Sequence, residues 1–273
     1  MRPLRVLSIN IWNRQGAWEH RRRLLAEGIA ALDPDVIGVQ EVIHGTRGQD
    51  QVEELATGWR DAGGPQEVFT AFAGAWAYEN GDQFGNAVLS RYPIRESKAF
   101  QLPTRDARTL LFSRVETPSG MLPFFVTHLS WKFDEGTLRE DQVLASARRI
   151  MENAEESDLP AIFVGDLNAA PDATEIRFLR GLHSLERTSI HFSDCFERCG
   201  AGDGFTFFPS ENPGAGLTLE APRRIDYVLV RGPDANGRGL PVSAKVVLDQ
   251  VVEIDGAKVA PSDHFGVFAE VAM

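Results

Sequence analysis

Residues 161–168 read Ala-Ile-Phe-Val-Gly-Asp-Leu-Asn (AIFVGDLN). The apolar run is far shorter than the ~18 residues of a membrane span and predicts a buried strand. It ends on a carboxylate, Asp166, and a carboxamide, Asn168. Burying an unpaired charge is costly, so polar groups at the end of such a strand need a reason. The same pattern recurs on both sides of this stretch. LRVLSINI (4–11) carries Asn10, DVIGVQE (35–41) ends on Gln40-Glu41, and MLPFFVTHLSW (121–131) contains His128. RRIDYVLVRG (223–232) contains Asp226, and Asp263-His264 opens HFGVFAEVA at the C-terminal end.

The remaining elements follow from periodicity and breakers. Residues 17–31 predict a helix, with Leu25, Ile29 and Leu32 at i, i+4 and i+7; Asp33-Pro34 ends it. A second helix is predicted over 49–61, closed by Gly63-Gly64-Pro65. From 66 to 128 successive strands are expected: EVFTAFAGAWAY, GNAVLSRYPI, RESKAFQL, ARTLLFSRVET and MLPFFVTHLSW. Thr117-Pro118-Ser119-Gly120 is a hairpin turn. A long helix is expected over 135–154, with Val143, Ala147, Ile150 and Ala154 on one face, and a short one over 173–180. Residues 181–223 read as loop-rich; RRIDYVLVRG, VSAKVVLDQVVEI and HFGVFAEVA read as the last three strands. Strand clusters in each half with few linking helices predict two sheets rather than one doubly wound sheet. No linker composition divides the chain, so residues 1–273 are expected to form a single domain.

Composition narrows the class. The chain has 273 residues, 43% hydrophobic and 25% charged, which excludes a disordered, collagenous or disulfide-stapled protein. MRPLRVLSINIWN lacks the apolar stretch and cleavage site of a signal peptide, so a cytoplasmic location is expected, with no transmembrane segment. Twenty-eight basic against 39 acidic residues give a net charge of −11, which argues against a duplex nucleic-acid partner. Cys195 and Cys199 lack the second pair of a zinc motif and read as free thiols, His191 notwithstanding. Arg21-Arg22-Arg23 reads as a solvated helix face opposite the apolar stripe.

Each polar residue at a strand end has an ordinary reading. GDLNA is compatible with a turn, Asn10 with a turn cap, Asp226 with a surface pair to Arg223 or Arg224, and Asp263 with a helix cap. Together they ask for one explanation. Four carboxylates (Glu41, Asp166, Asp226 and Asp263) gathered in one place repel one another without a cation. Their hard oxygens suit Mg²⁺ or Mn²⁺ rather than zinc.

SINIWN, DVIGVQEV, FGNAVLSRYPI, VTHLSW, VGDLNAAPD, RIDYVLV and SDHFGV occur in this order from Asn10 to His264. In these motifs the chain resembles the endonuclease/exonuclease/phosphatase superfamily, with its DNase I-like fold. The resemblance implies an α+β, four-layer sandwich: two mixed β-sheets packed face to face, with helices on the outer faces. It also implies hydrolysis of a phosphoester by in-line attack of an activated water, helped by Mg²⁺ or Mn²⁺.

Carried over residue by residue, the resemblance makes Glu41 the principal metal ligand, with Asn10 and Asp263 beside it. Asp166 corresponds to the general base and Asn168 to a phosphate holder. His264 corresponds to the phosphate-contacting histidine, Asp226 to its carboxylate partner and His128 to a second phosphate contact. Arg108 matches a phosphate-facing arginine, with Arg105 as its rival, and Asn86 matches a position that lines the cleft. Trp12 stands where DNA-repair members carry an acidic ligand, a departure from that branch. Trp131 and Phe133 read as core or rim packing. The GFTFFPS stretch, with Phe205, Phe207 and Phe208, matches an aromatic segment beside the cleft. A small or medium phosphoester substrate is expected. A metal-dependent nuclease is the alternative, and a non-catalytic binding module on the same fold is the contrasting class.

Overall fold

Apolar residues collect in three large cores. A computed structural model of the chain describes residues 2–45, 50–105, 107–155 and 158–273. One six-stranded sheet contains β1 (Leu4–Asn10), β2 (Val36–His44), β3 (Phe69–Ala77), β4 (Gln83–Ser90), β11 (Pro241–Val247) and β14 (Gly266–Val271), in the order β11-β14-β1-β2-β4-β3. The other contains β5 (Ile94–Gln101), β6 (Thr109–Thr117), β7 (Gly120–His128), β8 (Ile162–Asp166), β9 (Ser193–Asp194) and β10 (Asp226–Val230), in the order β5-β6-β7-β8-β10-β9. Both sheets are mixed: β1 pairs parallel with β2 and antiparallel with β14, and β7 pairs parallel with β8, which pairs antiparallel with β10.

The three cores are the three interfaces of a four-layer sandwich. Leu4, Val6, Val126, Val164, Val228 and Val267 belong to the core between the sheets. Leu7, Ile9 and Ile37 turn the other way and meet Leu25 and Ile29 of α1 (Trp18–Leu32) and Leu55 and Trp59 of α2 (Gln51–Asp61). Phe112, Phe125 and Phe163 meet Val143, Ala147 and Ile150 of α3 (Gly136–Asn153) and Ile176 and Phe178 of α4 (Thr174–Leu179). At Gly38 on β2 a Cβ would lie only 2.3 Å from Val164 Cγ2, so the sheets close there on a bare backbone. Among the described residues no helix is long and apolar enough to cross a membrane.

The two-sheet expectation holds, with local corrections. The run 242–254 is not one strand: Leu248 turns left-handed (φ 57°), ending β11, and β12 (Val252–Ile254) pairs instead with β13 (Ala257–Val259). Residues 181–223 are not loop throughout. They contain β9 and α5 (Cys195–Cys199), whose first turn is capped by Asp194 accepting from Phe196 N and Glu197 N at 3.1 and 3.2 Å. Helix α2 starts behind an Asp50 cap that accepts from Val52 N at 2.8 Å; Gln49, placed in that helix by the sequence reading, lies outside the described residues.

Strand alternation explains where the polar residues go. On β7, Leu122, Phe124 and Val126 face the other sheet, and the next inward position is His128. On β8 Ile162 and Val164 lead to Asp166; on β10 Val230 and Val228 lead back to Asp226; on β1 Leu4 and Val6 lead through Ser8 to Asn10. Register aligns them: His128 opposes Asp166, Asp166 opposes Asp226, and Asn10 opposes Gln40. The polar groups are therefore the last rung of the inter-sheet core. Each buried Phe or Leu stabilises the fold by roughly 1.5–3 kcal/mol, and dozens of them offset that one polar rung.

Candidate active site

Glu41 does not follow the alternation. β2 carries a bulge between Val39 and Val42, and both of these valines pack on the helix side. The extra residue lets Glu41, at φ 58°, leave that face and line the same cavity as Asp166 and His264. Left-handed backbone at a non-glycine residue is sparsely populated and costs on the order of 1 kcal/mol or more. It recurs here at Trp12, Asn13 and Asn168. Neighbours hold the Glu41 carboxylate: Asn10 Nδ2 donates to Oε1 at 3.2 Å and Asn13 Nδ2 to Oε2 at 3.0 Å.

Asn10 also donates to Asp166 Oδ2 at 3.1 Å, so one amide bridges two carboxylates. Its carbonyl oxygen accepts from Trp12 N at 2.9 Å, which turns that oxygen away from the carboxylates. Asn10 thus ties the Glu41 and Asp166 carboxylates to each other. Asp166 Oδ1 accepts from Asn168 N at 2.9 Å, and Asn168 Nδ2 donates to Leu129 O at 3.2 Å.

Two histidines flank Asp166 with opposite electrostatics. His264 Nδ1 lies 2.9 Å from Asp226 Oδ2, and its Nε2 lies 3.7 Å from Asp166 Oδ2. Burial opposes its charge, but Asp226, Asp166 and Asp263 outweigh burial and hold its pKa well above the ordinary histidine value. His128 is pushed well below that value, by burial first and then by the charges of Arg108 and His264. Arg108 Nη1 lies 3.2 Å from His128 Nδ1. A guanidinium only donates, so Nδ1 is the acceptor and the proton of neutral His128 sits on Nε2, 3.5 Å from Asp166. Asp166 itself is pushed up to about 7, chiefly by burial and then by Asp226. Asp263 is pushed up to about 6 by burial, with Glu41 adding to the rise and His264 opposing it.

The chemistry of the donor set fits a hard divalent cation. Glu41 and Asp263 both line the cavity, and the Glu41 charge adds to the raised pKa of Asp263. Asp166, Asp226 and His264 bring donor atoms within 4.8 Å of one another, a second compact group in which His264 is already engaged by Asp226.

Glu41, His128, Asp166, Asn168, Asp263 and His264 line one cavity of about 850 Å³, and Asn10 and Asp226 lie buried behind it. Arg108 and Arg105 both line it. Asn86 does not: its amide is buried and donates to Thr109 O at 3.0 Å, joining the two sheets. The surface-pair reading of Asp226 is excluded, since Asp226 is buried, Arg224 bonds Asp194 (2.7 Å) and Arg223 pairs with Glu220. Trp131 is 56% exposed and lines the cavity with Trp76 and Tyr78, so it belongs to the rim. Phe207 sits against His264, ring centroids 5.1 Å apart, while Phe205 and Phe208 line a different cavity. His191 is exposed, and among the described residues no metal-type group includes it or the free Cys195 and Cys199.

Several site residues escape the sequence reading. Thr206 Oγ1 accepts from Ile225 N and Asp226 N (3.1 and 3.2 Å), and Thr206 O accepts from Phe265 N at 2.7 Å; it thus registers Asp226 against His264. Ser262 Oγ donates to Asn10 O at 2.6 Å, joining the two strand ends. Arg21 is not on a solvated face: it is 2% exposed. The signal was available, because Trp18, Arg21, Leu25 and Ile29 follow one inner helix face. Arg22 and Arg23 are solvated as expected, pairing with Glu19 and Glu27.

Comparison with known proteins agrees with this architecture. The sequence model of the Endonuclease/Exonuclease/phosphatase family matches residues 7–264. No curated protein matches the chain. Among solved structures, TDP2 of D. rerio complexed with a single-strand DNA product is similar at 20% identity and TM-score 0.76, covering 99% of both chains. An endonuclease/exonuclease/phosphatase of Bacteroides vulgatus is similar at 18% identity and TM-score 0.73, covering all of both chains. A family protein of Leptotrichia buccalis C-1013-b is similar at 18% identity and TM-score 0.71, covering 99% of this chain and 100% of its own. These likenesses carry the fold, and the match over nearly the whole sequence carries the family: the chain belongs to the Endonuclease/Exonuclease/phosphatase family.

Proposed function

We propose that the chain is a divalent-metal-dependent phosphoester hydrolase. The observation that carries this reading is His264, 2.9 Å from Asp226 and 3.7 Å from Asp166, on a cavity wall that also bears Glu41 and Asp263. Asp166, with a pKa raised to about 7, accepts the proton of the attacking water, since a general base works best near the operating pH. Asp226 keeps His264 protonated at Nδ1, leaving Nε2–H to donate to a phosphoryl oxygen. His128 Nε2–H and the Arg108 guanidinium address a second oxygen, and Asn168 helps to hold the phosphate. Glu41 and Asp263 would hold Mg²⁺ or Mn²⁺, which when bound neutralises charge developing on the phosphoryl group.

A small or medium phosphoester is the substrate the cavity suits. Its volume of about 850 Å³ lies within the usual range of small-molecule sites, about 300–1,000 Å³. Arg105 and Arg108 line it, guanidinium groups that suit an anion in a chain of net charge −11. The second reading is a nuclease acting on short single strands. Its support is the exposed faces of Trp76 and Trp131, on which bases stack, and the single-strand product held by TDP2 of D. rerio.

The test compares turnover of bis-p-nitrophenyl phosphate and a panel of phosphomonoesters with nicking of supercoiled plasmid and trimming of a short single strand, in Mg²⁺ and in Mn²⁺. Small-ester turnover without plasmid nicking is expected. Absence of hydrolysis of every phosphoester in Mg²⁺, Mn²⁺ and Ca²⁺ would overturn the reading and favour a binding module.

A further inference from the structure

The Arg21 guanidinium is buried beneath the site, and among the described residues no carboxylate is in hydrogen-bond contact with it. Its Nη1 donates to Ile11 O at 2.8 Å and to Pro261 O at 3.0 Å. Its Nη2 donates to Gln15 O at 2.8 Å, Asn13 O at 2.9 Å and Trp12 O at 3.3 Å, and its Nε to Gln15 O at 3.1 Å. All of its nitrogens are thus engaged by five backbone carbonyls from two separate segments. The rings of Trp12 and Trp18 lie 5.0 and 5.2 Å from its central carbon, so the cation is also held by two aromatic faces.

One of the two segments it ties holds Glu41 through Asn13, and the other leads into Asp263. The 11–15 loop passes through left-handed backbone at Trp12 and Asn13 (φ 55° and 36°), a conformation that needs outside support. Asn13 is the residue that holds Glu41 Oε2. Pro261 precedes Ser262 and Asp263, and Ser262 Oγ bonds Asn10 O and lies 3.2 Å from Asp263 Oδ1. A planar guanidinium is suited to this task, because its fork reaches several fixed acceptors at once and an ammonium does not.

We infer that Arg21 is a positioning residue for the cation-binding side of the site: by tying the 11–15 loop to the Pro261 carbonyl, it fixes where Glu41 and Asp263 present their carboxylates. The inference rests on the hydrolase reading above, and it goes further by naming what aligns the ligands. A purely electrostatic role predicts the opposite sign. The charges of Asp263 and Glu41 act on Arg21, so removing its positive charge would by itself tighten binding of a divalent cation. Loss of positioning weakens it. Arg21→Met removes both charge and fork, and Arg21→Lys keeps the charge while losing the fork. Asn13→Ala cuts the link from the loop to Glu41 and leaves Arg21 intact.

The experiment measures Mn²⁺ affinity of the full chain by the electron paramagnetic resonance signal of free Mn²⁺, beside a thermal melt. The wild-type chain binds Mn²⁺ and Glu41→Gln weakens that binding by at least ~10-fold. Arg21→Lys and Arg21→Met each weaken it by about 10- to 100-fold, the range for residues that orient metal ligands, and Asn13→Ala weakens it in the same direction. Folded Arg21 variants that bind Mn²⁺ within twofold of wild type, or more tightly, overturn the inference and leave the hydrolase reading standing. If neither Arg21 variant folds, Asn13→Ala decides, and wild-type affinity in it overturns the inference. A wild-type chain that binds no Mn²⁺ overturns the metal-dependent reading and the inference with it.

Discussion

Asp226 Oδ2 and His264 Nδ1 stand 2.9 Å apart although 38 positions separate them in the chain. Asp226 is the first residue of β10, and His264 lies in the turn just before β14, so the contact spans the two sheets. The pairing makes His264 a cation in a buried place, and it makes that charge depend on Asp226. Asp226→Asn removes the charge that most raises the His264 pKa. Turnover is expected to fall by roughly 10²-fold at neutral pH, with the alkaline limb of the pH–rate profile moved to lower pH. An alkaline limb left in place by this substitution contradicts the role.

Asp166 governs the other limb. Its pKa is raised to about 7, so the basic form is lost as pH falls through that value and kcat/KM should climb with pH up to a plateau above about 7. Stability has the opposite sign. The folded state binds the Asp166 proton more tightly than the unfolded chain, so its contribution to stability is present at low pH and declines as pH rises from the ordinary carboxylate value to about 7. Asp166→Asn should remove nearly all activity and yet raise stability at pH 8 by on the order of 1–3 kcal/mol. Urea unfolding at pH 8 checks this; a variant less stable than wild type contradicts it.

Glu41 is aimed by a bulge and held by two amides, which is costly geometry for a residue without a ligand to serve. Chelation by EDTA is expected to abolish hydrolysis, and added Mg²⁺ or Mn²⁺ to restore it. Glu41→Gln should need at least ~10-fold more metal for half-maximal rate, read from metal titrations of turnover. Equal metal dependence in the two chains contradicts the assignment.

Trp131 stands exposed on the cavity rim and is outside the buried cluster around Asp166. Trp131→Ala should raise KM for aryl phosphodiesters about 5- to 30-fold, the loss of about 1–2 kcal/mol of stacking. kcat, and KM for a dialkyl diester, should stay nearly unchanged. A fall in kcat with KM unchanged would contradict a rim role.

The apolar halves of the strands were readable because alternation and length report burial directly, and so were the polar residues one rung beyond them. That is why Asn10, His128, Asp166 and Asp226 could be gathered from distant motifs, and why they meet in the structure. The bulge that turns Glu41 was hidden, since it depends on register against β4. Arg21 was misread because three arginines in a row look solvated, although its spacing from Leu25 and Ile29 puts it on the inner face. Asn86 has the residue type of a cleft amide but its donor is engaged by Thr109. Thr206 was masked by the aromatic residues around it; a hydroxyl that serves two backbone amides leaves no periodic trace.

The most direct measurement is the rate at which Asp166→Asn hydrolyses bis-p-nitrophenyl phosphate in saturating Mn²⁺, with its thermal melt recorded beside it. A rate at least ~10³-fold below the wild-type chain, in a protein that melts at or above the wild-type temperature, is the predicted result. A correctly folded variant that turns over at the wild-type rate would show that the chemistry takes place without Asp166, and the account would fail.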